Sequence, residues 1–148
     1  MGIKVKISEL EIRQFEECDR KAVIDLWQEC SLTTQQNNPN KDINRKMKVN
    51  PELFLVGCVK GELVATVMGG YEGHRGWINY LAVKPAMQRQ GLAKQLMQFV
   101  EEKIAQLGCP KINLQVRSSN SAVIDFYAAL GYGDDRVIGL GKRLEKDC

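Results

Sequence analysis

The chain has 148 residues, 44% of them hydrophobic and 26% charged, with a net charge of +3. That length predicts a single domain over residues 1–148, large enough to bury a core without staples. The small, scattered charge argues against a nucleic-acid partner, and no run reaches the ~18 apolar residues of a membrane span. Five widely spaced cysteines, no C-x-x-C pair and one histidine give no zinc-site spacing, so no metal is expected. The cysteines read as core fillers or incidental thiols of a reducing compartment, and residues 1–7 lack the apolar run of a signal peptide. A cytoplasmic protein is the expectation.

Leu10 to Phe15 alternates apolar and polar residues and predicts a first strand. Asp19 is placed to cap a helix whose apolar positions are Ala22, Val23, Leu26, Trp27 and Cys30. Ser31 to Asn40 is a polar loop, and a short helix follows Pro39 and ends before Pro51. Leu53 to Val59 and Leu63 to Tyr71 predict paired strands joined by a tight turn at Lys60-Gly61. Trp77 to Val83 predicts the fourth strand. Gly91 to Leu107 predicts a helix with Leu92, Leu96, Phe99, Val100, Ile104 and Leu107 on one stripe, ended by Gly108 and Pro110. Ile112 to Val116 reads as a fifth strand and Ser121 to Leu130 as a fourth helix. Gly131 then turns the chain into two final strands, the last near Val137 to Leu144. The fold class is mixed α/β, with a helical crossover between strands four and five.

The most informative stretch runs from Tyr80 to Ala93. An apolar strand enters a proline-marked loop at Pro85, then a turn at Gly91, then a long amphipathic helix. Such a turn aims unpaired backbone N–H groups, and the positive end of the helix dipole, at whatever sits above the strand end. A diphosphate suits that position. Gly91 removes the Cβ that would obstruct its approach, and Ala93 is nearly as small. Other phosphate readers are missing. Gly139-Leu140-Gly141-Lys142 falls in a predicted strand and does not precede a helix, and there is no G-x-G-x-x-G after a strand and no G-x-S-x-G elbow.

Gln88-x-x-Gly91-x-Ala93 resembles the Q/R-x-x-G-x-G/A signature of the GNAT superfamily of acyl-CoA-dependent N-acetyltransferases. Asn120 to Tyr132 is similar to that family's second motif, N-x-x-A-x-x-F-Y-x-x-x-G-Y/F, in the same order and at a matching separation. The resemblance covers nearly the whole chain. It implies a central, mostly antiparallel sheet with strands four and five splayed apart and helices flanking it. It implies acetyl-CoA as co-substrate, bound at its pyrophosphate by residues Gln88, Arg89, Gln90, Gly91, Leu92, Ala93 and Lys94. Arg89 and Lys94 would add charge there. The strand edge at Leu81, Ala82 and Val83 would pair with pantetheine, and Asn120, also a good helix cap, would contact the cofactor. A homodimer is a further possibility that the resemblance opens.

Tyr127 resembles the family tyrosine beside the departing thiol, which makes it both a catalytic and a cofactor-binding residue. A thiol titrates near ~8.5 and a tyrosine near ~10, so full proton transfer is uphill by roughly 2 kcal/mol and hydrogen bonding to the thiolate is the expected role. The general base departs from the family patterns. Trp77 and Gln115 stand where the histone-type and ribosomal N-terminal-type branches carry a glutamate, and neither side chain accepts a proton. Glu72, just past the third strand, is the carboxylate proposed as a remote base. The resemblance places the 31–40 loop over the acceptor cleft. Together these imply transfer of an acetyl group to a primary amine by direct attack on the thioester. The acceptor is a small amine or a protein lysine or N-terminus, and a non-catalytic acyl-CoA-binding module is the reading from another class.

Overall fold

The computed structural model describes residues 2–147, which form two compact units: residues 2–113 with Asp147, and residues 114–146. The first unit is built on a five-stranded sheet in the order β1 (Leu10–Gln14), β2 (Phe54–Val59), β3 (Glu62–Tyr71), β4 (Gly76–Val83) and β5 (Ile112–Asn113). The first four strands pair antiparallel, and β5 lies parallel to β4. The β2–β3 turn has Lys60 at φ 51° and Gly61 at φ 80°. Two successive left-handed residues match the twist of a tight hairpin.

Three helices accompany the sheet: α1 (Arg20–Glu29), α2 (Pro39–Lys46) and α3 (Leu92–Gln106). Asn38 caps α2 by accepting from Lys41 N–H at 3.1 Å, with Pro39 in the first turn where no donor is needed. Asp19 precedes α1 but does not cap it. Its carboxylate takes both Arg13 nitrogens at 2.7 and 2.9 Å and the Glu16 N–H at 2.8 Å. A bidentate guanidinium outcompetes a helix N–H for the same oxygens.

The α-helices divide between the two faces of the sheet. Met68 packs in a cluster with Val23, Leu26 and Trp27 of α1, Ile43 of α2, and Phe54 and Val56 of β2. At the next residue, Gly69, a Cβ would stand 2.7 Å from Val100 and 3.2 Å from Ile104 of α3. Successive strand residues face opposite ways, so α3 covers the face opposite α1 and α2. Each large side chain buried here contributes roughly 1.5–3 kcal/mol. The buried stripe of α3 is Leu92, Leu96, Met97, Val100 and Ile104. Met97 belongs to it, whereas Phe99 and Leu107, predicted on the stripe, are 37% and 48% exposed. The i, i+4 series from Leu92 to Ile104 sets the axis of contact, and Phe99 lies off it.

At the end of α2, Lys46 Nζ donates to the Gly69 carbonyl of β3 and has no carboxylate in contact. Burial pulls its pKa down to about 8, against a small upward effect of Glu52. The folded pKa lies below the unfolded one, so folding disfavours the charged form while Lys46 is protonated, and that penalty is relieved as pH rises from about 8 towards 10.5. The wild-type denaturation midpoint is therefore expected to gain over that of Lys46→Met between pH 7 and pH 10. Parallel midpoints across that range would show that Lys46 titrates normally.

In the second unit, α4 (Ser121–Ala129) begins at Asn120 and ends before Gly131, whose φ of 98° turns the chain. The fifth strand is shorter than predicted, stopping at Asn113 rather than Val116. The two final strands are not formed among the described residues, and 133–146 carry no regular structure. Val137, Ile138, Leu140 and Leu144 are 76–91% exposed. A strand exists only through its partner's hydrogen bonds, and Gly139 and Gly141 weaken what local preference the segment has.

Candidate functional site

The first unit carries two features that its sequence places next to each other. The first is a break in β4. Thr66 pairs with Ala82 and Met68 with Asn79, so Tyr80 and Leu81 together oppose Val67. This is a β-bulge, and Tyr80 sits in it at φ 53°. A bulge bends its strand and increases the local twist. Consistent with that bend, β4 pairs with β5 only at Gly76–Ile112 and Trp77–Asn113. From Ile78 to Val83 that edge of β4 meets no strand among the described residues. Lys84 N–H donates to Val64 C=O at 2.8 Å. By the alternation of an antiparallel ladder, Ala82 then also turns its backbone groups to β3, leaving those of Leu81 and the N–H of Val83 on the open edge, while the Val83 C=O accepts from Gln88 Nε2 at 3.0 Å and Cys30 Sγ at 3.3 Å. Of the three predicted edge residues, Ala82 is thus committed to the sheet.

The second feature is the turn after β4. A short 3-10 turn, Pro85–Met87, leads to Gln88, whose Nε2 reaches back to Val83 C=O at 3.0 Å and ties the turn to the strand end. Arg89 at φ 63° and Gly91 at φ 87° are both left-handed. Alternation with left-handed residues makes a concave row of N–H groups that suits anions. The backbone N–H groups of residues 89–94 meet no protein acceptor among the described residues, and helical bonding begins with Gln95 N–H to Gly91 C=O at 3.0 Å. Arg89 and Lys94 are exposed and face no carboxylate among the described residues. Gln90 plays a different part. Its Oε1 accepts from Val5 N–H at 2.7 Å and its Nε2 donates to Ile3 C=O, so its side chain holds the N-terminal segment and only its backbone is free. Leu92, the first residue of α3, is buried, and Ala93 is half-buried. In the second turn of α3, Gln95 Oε1 is a buried acceptor without a donor.

These residues fit a diphosphate carrier that ends in an extended amide arm. Among the described residues the turn offers free donors, two cations without a carboxylate partner and a glycine without Cβ, and an open strand edge lies within ten residues before it. Among the described residues no cluster of three or more His, Cys, Asp and Glu is arranged to hold a metal.

The second unit holds Asn120 and Tyr127. Asn120 accepts from Val123 N–H at 3.3 Å and caps α4. That engages its carbonyl oxygen, and its amide nitrogen donates to no acceptor among the described residues. Tyr127 is 9% exposed, lies edge-on to Phe126 and Tyr132 with ring centres 5.1 and 5.6 Å away, and has its pKa pushed up to about 12 by burial.

Glu72 lies in the β3–β4 connection. Its Oε1 accepts the backbone N–H of His74 at 2.7 Å and that of Arg75. These bonds, Arg75's first, hold its pKa below the usual carboxylate value. It closes the turn, and a carboxylate stabilised in its ionised form is a weaker base. Trp77 is 37% exposed opposite Gly70, and Gln115 is exposed in the second unit. The sequence reading also missed a group of contacts around Tyr80. Its hydroxyl donates to Asp42 of α2 at 2.6 Å, and its ring stacks on Trp27 of α1 at 3.8 Å. No local pattern announces contacts between residues 38 and 53 positions apart.

Comparison with known proteins agrees with this arrangement. Residues 7–132 match the acetyltransferase (GNAT) family. An acetyltransferase of Pectobacterium atrosepticum is 49% identical over 138 residues, 93% of this chain and 98% of that protein. One from Sodalis glossinidius is 48% identical over 139 residues, with the same coverage of both chains. Among solved structures, Ard1 from Thermoplasma volcanium superposes with a TM-score of 0.75 at 27% identity, covering 83% of this chain and 82% of that one. The PaiA N-acetyltransferase of Thermoplasma acidophilum, solved with coenzyme A, shares the fold with a TM-score of 0.76 at 18% identity, over 88% and 93% of the two chains. The splayed fourth strand, the glycine turn before α3 and this likeness over most of the chain lead to one assignment: the chain belongs to the GNAT family of acetyltransferases.

Proposed function

We propose that the protein is an acetyl-CoA-dependent N-acetyltransferase that acylates a primary amine by direct attack on the thioester. The observation that carries this reading is the run from the bulged edge of β4 into the unpaired N–H groups of residues 89–94. Acetyl-CoA supplies the activated acyl group. Residues 88–94 bind its diphosphate, with Arg89 and Lys94 adding charge. Backbone groups of Leu81 and the N–H of Val83 pair with its amide arm, and those of Ala82 hold that edge in register. Backbone N–H groups of β4 face the oxygen on which negative charge develops. The family resemblance gives Asn120 a cofactor contact and Tyr127 a hydrogen bond to the leaving thiolate.

The acceptor's own acidity sets how much a base is needed. An α-amino group near pKa ~8 costs about 1.4 kcal/mol to neutralise at pH 7, whereas a lysine near ~10.4 costs roughly 4–5 kcal/mol. With Trp77 and Gln115 at the usual base positions, the low-pKa amine is the acceptor class this chain handles best. The test is CoA-thiol release from acetyl-CoA over a panel of small amines and peptides of graded amine pKa. Turnover concentrated at low-pKa amines supports the reading. Acetyl-CoA binding without release from any acceptor would move it to a binding module.

Glu72 remains the carboxylate to examine as a remote base. Its two backbone bonds favour the turn-closing part, so Glu72→Gln is expected to leave the acid limb of the pH–rate profile where it is in the wild type. Loss of that limb in the variant would instead make Glu72 the base.

A further inference from the structure

Tyr80 is a non-glycine residue held left-handed in mid-strand, next to the edge that the proposed function requires. A left-handed conformation costs such a residue about 1–2 kcal/mol, and it persists only where surrounding contacts over-determine it. Three elements supply those contacts. From α1, the Trp27 ring stacks on the Tyr80 ring with centres 3.8 Å apart. From α2, Asp42 accepts the Tyr80 hydroxyl at 2.6 Å. From β3, the Thr66 hydroxyl donates to the Tyr80 carbonyl at 2.9 Å. The last contact belongs to a relay, because Thr66 Oγ1 itself accepts from Trp27 Nε1–H at 2.9 Å. Trp27 and Thr66 are both fully buried.

The relay has a fixed polarity. Trp27 can only donate, so the threonine oxygen must accept from it and is left with one proton to give. That proton goes to the Tyr80 carbonyl. In an unbroken strand this carbonyl would bond a neighbouring strand, and at the bulge it has lost that partner. Thr66 gives it a substitute inside the sheet. A buried threonine hydroxyl has no packing advantage over valine, which fills nearly the same volume without a polar group to satisfy. Its presence here is explained by the carbonyl it serves.

We propose that Trp27 and Thr66 are positioning residues for the acyl carrier: their relay to the Tyr80 carbonyl locks the bulge that presents Leu81 and Val83 on the open edge of β4. The proposal rests on the acetyl-CoA reading of that edge. Without the relay, the buried Trp27 N–H and the part-buried Tyr80 carbonyl are both unpaired, and the strand relaxes towards a regular ladder. The open edge then turns away from the arm it pairs with, while the phosphate turn after Gln88 keeps its own contacts.

Calorimetric binding of acetyl-CoA and of ADP, which has the diphosphate but no pantetheine arm, separates these effects. Thr66→Val and Trp27→Phe are expected to weaken acetyl-CoA about tenfold and leave ADP unchanged. Thr66→Ser, which keeps the hydroxyl, is expected to restore acetyl-CoA binding to within about twofold of wild type. A purely structural contribution would weaken both ligands together, and that result would overturn the proposal. Wild-type acetyl-CoA binding in both variants would overturn it as well. If Thr66→Val does not fold, Trp27→Phe decides, since it keeps an aromatic ring against Tyr80 and removes the donor end of the relay. Failure of the wild type to bind acetyl-CoA while binding ADP would overturn this proposal together with the acetyl-CoA reading. Variants that bind normally beside a competent wild type sink this proposal alone.

Discussion

Gly91→Val is expected to weaken acetyl-CoA binding by about a hundredfold, close to 2.7 kcal/mol. Gly91 has φ 87° and ψ 5° at the start of α3. A β-branched residue is a genuine outlier in that region, because its Cβ crowds the following carbonyl. The new side chain also meets Ile7, whose Cδ1 would lie 3.1 Å from the added Cβ. The backbone escapes both contacts by leaving the left-handed region, and the N–H groups of residues 89–94 then cease to converge. Burial of the α3 stripe is untouched by the substitution, so the fold is expected to persist. Calorimetric titration of acetyl-CoA into the variant, with a thermal melt as control, checks the prediction. Undiminished affinity in a folded variant would remove this turn from the binding site.

Tyr127→Phe is expected to lower kcat by about 10- to 150-fold and to leave the affinity for acetyl-CoA within a few-fold of wild type. The figure is that of one hydrogen bond to a charged group, roughly 1.5–3 kcal/mol. Burial, with Tyr127 9% exposed, raises its pKa to about 12. Against a thiol near ~8.5, full proton transfer is then uphill by about 5 kcal/mol, which is more than the unperturbed tyrosine value implied. The buried phenol is therefore a donor that stays protonated throughout the working range. Two consequences follow for measurement. The wild-type pH–rate profile carries no limb from Tyr127 below about pH 11, and the variant's profile keeps the wild-type shape at reduced height. Unchanged kcat in the variant would take Tyr127 out of the chemistry, and a shifted profile would make it an acid rather than a hydrogen-bond donor.

The helices and hairpin were readable because their signals are local. Asn38 and Pro39 start α2, Lys60-Gly61 closes the hairpin, and Leu92, Leu96, Val100 and Ile104 align by helical periodicity alone. The turn before α3 was readable for the same reason, since Gly91 and the helix after it lie within one segment. Other expectations failed where a residue's role depends on a distant partner. Asp19 looked like a helix cap until Arg13 claimed it. The side chain of Gln90, beside the backbone N–H expected at the turn, holds Ile3 and Val5, which no local pattern announces. The two predicted final strands needed partners that residues 133–146 do not find.

By itself the sequence determined the class of the protein. Two motifs in order resemble those of the GNAT acetyltransferases, and the order of alternating and helical periods gives a mixed α/β fold, because such turns and helix starts are built from neighbouring residues. Only the tertiary structure decided how the fourth strand opens. The bulge at Tyr80 depends on Trp27, Asp42 and Thr66, which lie on three other elements. A left-handed tyrosine is unfavourable on its own, so no reading of its neighbours along the chain foretells it. It exists because packing and buried hydrogen bonds from across the sheet outweigh its local cost.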